Sequence, residues 1–394
     1  MGDDAGSDGH LVLCVVGTRP EAVKMAPVVL RLRRAEGLRV RVVTTGQHRE
    51  LLDRALDDFG IASDRDLGLM RPGQTLAQAA GRALEALDGV LEAERPEFVL
   101  AQGDTTTVLA SALACYYRQV PFGHVEAGLR TGQPYRPFPE EKNRVLAGHL
   151  AELHFAPTPQ ARANLLREGI DPATVHVTGN TGIDSLRWIA DRSVPLPIAP
   201  ATDRFLLVTA HRRENFGAPL REICDAIRAI VDGDPGLGVV FPVHPNPSVR
   251  SIVVDALRGH PRVHLIDPVG YPAFVALMRA SFAILTDSGG VQEEGPSLGK
   301  PVLVLRDETE RPEAVAAGTV QLVGPHRDAI VAAVRALADR PDLYRKFATA
   351  INPYGDGHAS ERIARVLQAR LGIEPPPYPA GIAAEWTPGG PPPG

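Results

Sequence analysis

Two carboxylates stand where the chain reads as leaving successive apolar runs, and a third begins the helix that follows. Asp104 lies in Gln102-Gly103-Asp104-Thr105-Thr106-Thr107, and Glu126 in His124-Val125-Glu126-Ala127-Gly128-Leu129-Arg130. Glu140 opens Pro139-Glu140-Glu141-Lys142-Asn143-Arg144. Carboxyl groups converging on one place, each in its own environment, can divide general-acid from general-base work. Glu140 and Arg144 are four apart, so on a helix they share a face, and Arg144 would orient Glu140. Two plainer readings stay open. Asp104 could cap the helix that follows it, and Glu140 with Arg144 could be an ordinary surface ion pair.

A second set of residues suits an anion. Gly17-Thr18-Arg19-Pro20-Glu21-Ala22-Val23-Lys24 follows the first apolar run and opens a helix, with Pro20 in its first turn. Helix N-termini attract anions, and Arg19 and Lys24 add charge. Ala210-His211-Arg212-Arg213-Glu214-Asn215 brings a His and two Arg to another strand exit, resembling a phosphate clamp. His211 could also protonate a leaving phosphate, since its unperturbed titration lies near neutrality. His244, in Pro242-Val243-His244-Pro245-Asn246-Pro247, is a second anion-facing imidazole. The sharpest segment is Thr286-Asp287-Ser288-Gly289-Gly290-Val291-Gln292-Glu293-Glu294. Gly289 and Gly290 let backbone approach a diphosphate, Ser288 adds a hydroxyl, and Glu294 could accept from ribose hydroxyls. Its plainer reading is a Gly-rich turn with a capping Ser.

These residues need a scaffold that delivers strand ends to one place. Short apolar runs alternate with amphipathic stretches throughout. Leu11–Val16, Arg39–Thr45, Phe98–Gln102, Pro121–Val125, Leu153–Ala156 and Val175–Thr178 read as strands, and Pro20–Glu36, Thr75–Glu94 and Thr105–Arg118 as helices. A second set of strands runs Phe205–Thr209, Gly238–Val243, Val263–Ile266, Ala283–Thr286, Val302–Leu305 and Val320–Val323. This rhythm predicts α/β halves with parallel sheets and ligands beyond the C-terminal strand ends, in a cleft between two facing sheets. Residues 11–192 form the first half and 204–356 the second, with Pro195, Pro197 and Pro200 marking a linker over 193–203. A last helix, about Ser360–Leu371, follows the second half. Residues 1–10 and the Pro- and Gly-rich stretch 375–394 are expected to be disordered.

The 394 residues suit two domains, with 44% apolar and 23% charged residues as in soluble globular proteins. A formal net charge of -5 argues against a nucleic-acid partner. Cys14, Cys115 and Cys224 are isolated in apolar runs, so no disulfide framework or metal site is expected. No run of about 18 apolar residues could span a membrane, and the N-terminus lacks signal-peptide character, so the cytoplasm is the expected location. No G-x-G-x-x-G follows the first strand, which argues against a nicotinamide cofactor.

The ordered set GTRPEAVKMAP, TGQHRE, QGDTTT, HVEAGLRT, FPEEKNR, VTGNTGID, TAHRREN, PVHPNP, TDSGGVQEEGPSLGKPVL, TERPEAVAAGT and NPYGDG, running from Val12 to about Leu371, resembles the non-hydrolysing UDP-N-acetylglucosamine 2-epimerases. The resemblance implies a GT-B fold of two Rossmann-like domains, with the last helix crossing back to the first domain, and a homodimer. It implies reversible C2 epimerisation of UDP-GlcNAc to UDP-ManNAc without metal or nicotinamide, feeding surface-polysaccharide synthesis. UDP would leave C1 as the C2 proton departs, giving a 2-acetamidoglucal, and then add back. Asp104, Glu126 and Glu140 would be the acid/base set, and His211 and Arg19 would stabilise or protonate the departing UDP. Lys24, Arg212, His244, Ser288, Gly289, Gly290 and Glu294, with Phe274 toward the uracil, would hold it. Many bacterial members use UDP-GlcNAc as an allosteric activator too, and Gln47 and Glu50 match part of that regulatory loop. Met70-Arg71-Pro72-Gly73-Gln74 departs from members that carry an Arg just before that Gln. Rival readings are a GT-B glycosyltransferase using a UDP-sugar, a hydrolysing 2-epimerase releasing ManNAc, and a non-enzymatic nucleotide-sugar sensor. Gluco and galacto substrates are not distinguished by sequence.

Overall fold

A computed structural model describes residues 9–46, 49–71 and 73–389, apart from the side chains of Arg49 and Arg213. The chain divides into two compact units, residues 1–188 with 354–394, and residues 189–353.

The first unit is built on a seven-stranded sheet. Its strands are β1 (His10–Val16), β2 (Leu38–Thr44), β3 (Arg65–Asp66), β4 (Phe98–Gln102), β5 (Phe122–Val125), β6 (Leu153–Ala156) and β7 (Val175–Val177). They lie in the order β3-β2-β1-β4-β5-β6-β7, and every pair is parallel. The two-residue β3 is too short and polar to signal itself by apolar periodicity. The second unit carries β8 (Arg204–Thr209), β9 (Leu237–Pro242), β10 (Val263–Ile266), β11 (Ala283–Thr286), β12 (Val302–Val304) and β13 (Val320–Leu322). Their order, β10-β9-β8-β11-β12-β13, is again all parallel. Both sheets are Rossmann-like, and both reverse strand order beside their first strand, between β1 and β4 and between β8 and β11. Strands buried on both faces explain the continuous apolar runs: Leu13, Cys14, Phe98 and Leu100 in the first sheet, and Leu206, Leu207, Val240 and Phe241 in the second, have no exposure.

The helix Arg19–Leu32 starts with a reciprocal cap. Thr18 Oγ1 accepts from the Glu21 amide, while the Glu21 carboxylate accepts from the amides of Gly17 (2.5 Å) and Thr18 (3.3 Å). Glu21 is buried, and burial raises its titration from the ordinary 4.5 to about 7, against the opposing donors.

The last helix, Ala359–Arg370, belongs to the first unit. It packs on Arg19–Leu32, and Arg31 pairs with Glu361. Its N-terminus is capped from a distance: Asp184 accepts from the amides of Ala359 (3.1 Å) and Ser360 (2.7 Å). The expected disorder after residue 375 is corrected over the described part. The Trp386 amide donates to the Val177 carbonyl on edge strand β7. Buried Arg362 donates through Nε to the Ala383 carbonyl (2.8 Å), and the Arg365 guanidinium lies 4.6 Å from the Tyr378 ring centroid. Composition argued for disorder because Pro and Gly bury little, but a sheet edge and a buried guanidinium both need backbone partners. No helix among the described residues is long and apolar enough to cross a membrane.

Two outcomes follow. The proton that native Glu21 retains contributes stability fully present below about 4.5 and lost as pH rises through about 7. Glu21→Gln has no such proton, so denaturant titrations should show its stability gaining on the wild type from the lower to the upper end of that window. A constant difference would mean that Glu21 is ionised throughout. Ending the chain after Ile373 should lower unfolding stability by about 1–3 kcal/mol, since the Arg362 side chain loses a carbonyl partner while buried.

Candidate active site

In each unit most candidate residues follow strands at or next to the point where the strand order reverses, the usual place for a ligand in an open parallel sheet. In the first unit Gln102 pairs with Val125 across β4 and β5. Asp104 and Glu126 therefore leave the sheet from neighbouring strands. The cap of the helix Thr106–Arg118 is Thr105, whose hydroxyl accepts from the Val108 amide. Capping thus does not account for Asp104. Its carboxylate instead lies 3.4 Å from Arg144 Nη2.

Glu126 sits at φ 63, in the left-handed region that a non-glycine residue avoids. Its carboxylate is 2.5 Å from Lys24 Nζ, and its side chain is only 10% exposed. Gly128, two residues on, sits at φ 90, where a Cβ would lie 2.2 Å from the Ala161 carbonyl oxygen. The conformation of this turn is therefore set from both ends. His124 is buried, and burial brings its titration down to about 4, so it is neutral and donates through Nε2 to the Gly103 carbonyl at 2.7 Å. That bond ties the Asp104 loop to β5.

The expected pairing of Arg144 with Glu140 is corrected. Arg144 lies 3.4 Å from Glu141, one turn back on its helix, and reaches Asp104. A spacing of three shares a helix face as well as a spacing of four does, and Glu141 is the buried partner. Glu141 also accepts from the amides of Thr131 (3.1 Å) and Gly132 (3.0 Å), which holds the preceding loop. Glu140, half-buried in the first turn of Glu140–Leu150, has no ion-pair partner among the described residues. Arg19 is exposed at the start of its helix. Lys24, expected on UDP, stands on Glu126 instead. Gln47 lies outside the described residues, and Glu50 is exposed in the first turn of Arg49–Asp57.

The second unit collects cations and imidazoles. Asp287, fully buried at the end of β11, organises them. It accepts from the amides of His211 (2.9 Å) and Arg212 (2.9 Å) and from Asn215 Nδ2 (3.0 Å), and His211 Nδ1 lies 3.0 Å from it. Burial alone would raise its titration, but His211 and these donors outweigh burial and keep it ionised. The His211 and His244 rings stack with centroids 6.3 Å apart. Ser288 occupies the cap position of Gly289–Glu294, yet its side chain makes no capping bond, so its hydroxyl is not committed to the helix. Arg311 Nη2 and Arg212 Nη2 come within 3.6 and 3.7 Å of where a Gly289 Cβ would be. Arg311 pairs with Glu293. Two guanidinium groups meeting over bare backbone suit a doubly charged ligand. Glu294 accepts from the Tyr271 hydroxyl at 3.0 Å, and Phe274 is half-buried on the same helix as Tyr271.

Sequence reasoning missed Asp287, Glu141, Tyr271 and Arg311 as parts of these sites. Arg311 carried a faint signal, a polar loop directly after β12. The others are buried, and their partners come from distant segments. Among the described residues no three His, Cys, Asp or Glu side chains group as a metal site would.

Comparison with known proteins agrees over nearly the whole chain. The family profile described as UDP-N-acetylglucosamine 2-epimerase matches residues 30–368. A UDP-N-acetylglucosamine 2-epimerase of Yersinia pestis is 50% identical over 368 residues, covering 91% of this chain and 98% of its own. That of Escherichia coli (strain K12) is 49% identical over 369 residues, with the same coverage of 91% and 98%. The crystal structure of UDP-GlcNAc 2-epimerase from Neisseria meningitidis bound to UDP-GlcNAc superposes with a TM-score of 0.83 at 46% identity, covering 91% of this chain and 100% of that one. With two all-parallel α/β units of the GT-B class and this match, the chain belongs to the UDP-N-acetylglucosamine 2-epimerase family.

Proposed function

We propose that the chain interconverts UDP-GlcNAc and UDP-ManNAc by inverting C2 and keeps the nucleotide sugar intact overall. The observation that carries this reading is the pair Asp104 and Glu126 on adjacent strand ends, each beside its own cation. An epimerase must take a proton from one face of a carbon and return one to the other. Two carboxylates in unlike settings suit this two-faced transfer. Glu126 is nearly buried against Lys24, while Asp104 is a third exposed and 3.4 Å from Arg144.

The C2 proton of the sugar has no neighbouring carbonyl to acidify it, so removal by a base alone is slow. Elimination avoids this. One carboxylate takes the C2 proton, the electron pair forms a C1–C2 double bond, and the C1–O bond breaks with its pair passing to UDP. Re-addition of UDP to this 2-acetamidoglucal, with protonation at the other face of C2, gives the epimer. The departing UDP carries the developing charge, which His211, Arg212 and Arg311 of the second unit are suited to meet. Ser288, Gly289, Gly290 and His244 would bind the diphosphate, Glu294 the ribose and Phe274 the uracil. Glu140 completes the acid/base set.

Two finer readings go with this one. The chain forms a homodimer, which the exposed Tyr116 (64%), Tyr117 (64%) and Leu146 (50%) on the packed helices Thr106–Arg118 and Glu140–Leu150 support. UDP-GlcNAc also acts as an activator. The first unit has a pocket of about 240 Å³ lined by Thr45, Met70, Gln74 and Thr107.

Incubation with UDP-GlcNAc in deuterated water should yield UDP-ManNAc with deuterium at C2, read by proton NMR. Asp104→Asn or Glu126→Gln should cut turnover by roughly 100-fold or more while UDP binding changes little. Equal loss of both would remove these residues from the chemistry, and release of free ManNAc with UDP would move the chain to the hydrolysing reaction.

A further inference from the structure

The two stacked imidazoles of the second unit are held by different partners, on the same ring nitrogen but in opposite senses. His211 Nδ1 faces an acceptor, the buried Asp287 carboxylate, at 3.0 Å. The same carboxylate receives the His211 backbone amide at 2.9 and 3.1 Å, so one group anchors both the main chain and the ring of this residue. His244 Nδ1 faces a donor, the Asn246 amide, at 3.2 Å. A neutral imidazole has one donor and one acceptor nitrogen. His211 therefore carries its proton on Nδ1 and leaves Nε2 open, while His244 accepts at Nδ1 and carries its proton on Nε2.

We propose that Asp287 is a positioning residue that fixes this tautomer of His211, making His211 Nε2 the atom that exchanges a proton with the diphosphate, while neighbouring His244 serves only as a neutral donor. The proposal rests on the elimination reading above. With the anionic nucleotide sugar bound, His211 takes a proton from solvent at Nε2; as the C1–O bond breaks, the imidazolium gives that proton to the phosphate oxygen that takes the electron pair. On re-addition that oxygen returns the proton to Nε2. Asp287 stays ionised throughout, stabilises the imidazolium before elimination and after re-addition, and holds the Nδ1–H of the neutral ring between the two steps. Nothing that this carboxylate does requires it to touch the substrate. Its other partners, the Arg212 amide and Asn215, hold the loop that carries His211 and Arg212.

The tautomers are read directly by nitrogen-15 NMR of histidine-labelled full-length protein, with the His211 signals assigned by their loss in His211→Gln. The expected wild-type result is a protonated Nδ1 and bare Nε2 in His211, and the reverse in His244. Asp287→Asn should lower kcat roughly 100-fold, as expected for loss of one acid/base group. It should leave UDP affinity within a few-fold and let the His211 proton distribute over both nitrogens. Asn215→Ala is the structural comparison. It removes two bonds from the same loop and leaves the imidazole–carboxylate contact, so it should lower the melting temperature while its kcat loss stays well below that of Asp287→Asn. A wild-type His211 protonated at Nε2 and bare at Nδ1 overturns the proposal, whether or not Asp287→Asn folds. So does a kcat loss in Asn215→Ala equal to that in Asp287→Asn. Absence of C2 exchange in the wild type, with the tautomers as expected, would instead sink the epimerase reading and leave the assignment of the rings standing.

Discussion

Neighbouring parallel strands whose connecting helices pass to opposite faces leave their C-terminal ends uncovered. This geometry is imposed by chain connectivity, and every functional feature of both units depends on it. In the first unit it opens a place beside β1 and β4, in the second beside β8 and β11. Loops at such points are short and begin from strands with little or no exposure, so their backbones are stiff and their side chains are aimed. Glu126 shows the consequence. It holds a φ of 63 because β5 fixes one end of its turn and the Gly128 contact with Ala161 fixes the other.

Charge is handled alike in both units. Buried carboxylates receive several backbone amides each: Glu21 at the start of the first helix, Glu141 from the loop at Thr131 and Gly132, Asp184 under the last helix, Asp287 from His211 and Arg212. An amide costs no side-chain entropy to aim, so these contacts place a full charge where a flexible cation would do so less sharply. The groups proposed to react are less enclosed. Asp104 and Glu140 retain access to solvent and His211 is 41% exposed in its side chain, with Glu126 the exception at 10%, whereas Arg144 and Asp287, which hold Asp104 and His211, are at most 10% exposed. Rigid support under accessible chemistry is the arrangement that proton transfer at a fixed geometry requires.

The last helix and the stretch after it show the same economy at a sheet edge. Arg362 is 1% exposed, yet its guanidinium meets Asp356 and the carbonyls of Thr178 and Ala383. Edge strand β7 is met by the Trp386 amide. A Pro- and Gly-rich stretch has little to bury, but its free carbonyls and amides are what an edge strand and a buried cation lack.

By itself the sequence determined the α/β rhythm, the strands that deliver Asp104, Glu126, His211 and Ser288, and the family. Each depends on local signals: apolar runs, a Pro in a helix's first turn, glycines before a helix, motifs in fixed order. The tertiary structure decided which charges meet. Arg144 at helical spacing could serve Glu140 or Glu141, and the burial of Glu141 and the approach of Asp104 settled it. Lys24 reads as a phosphate ligand along the chain but stands on Glu126, a hundred residues away. Asp287 reads as a polar residue at a strand end, and only the return of β11 beside β8 puts it under His211. Short-range propensity acts over a turn or two, whereas pairing between charges falls off with distance in space and carries no mark of separation along the chain.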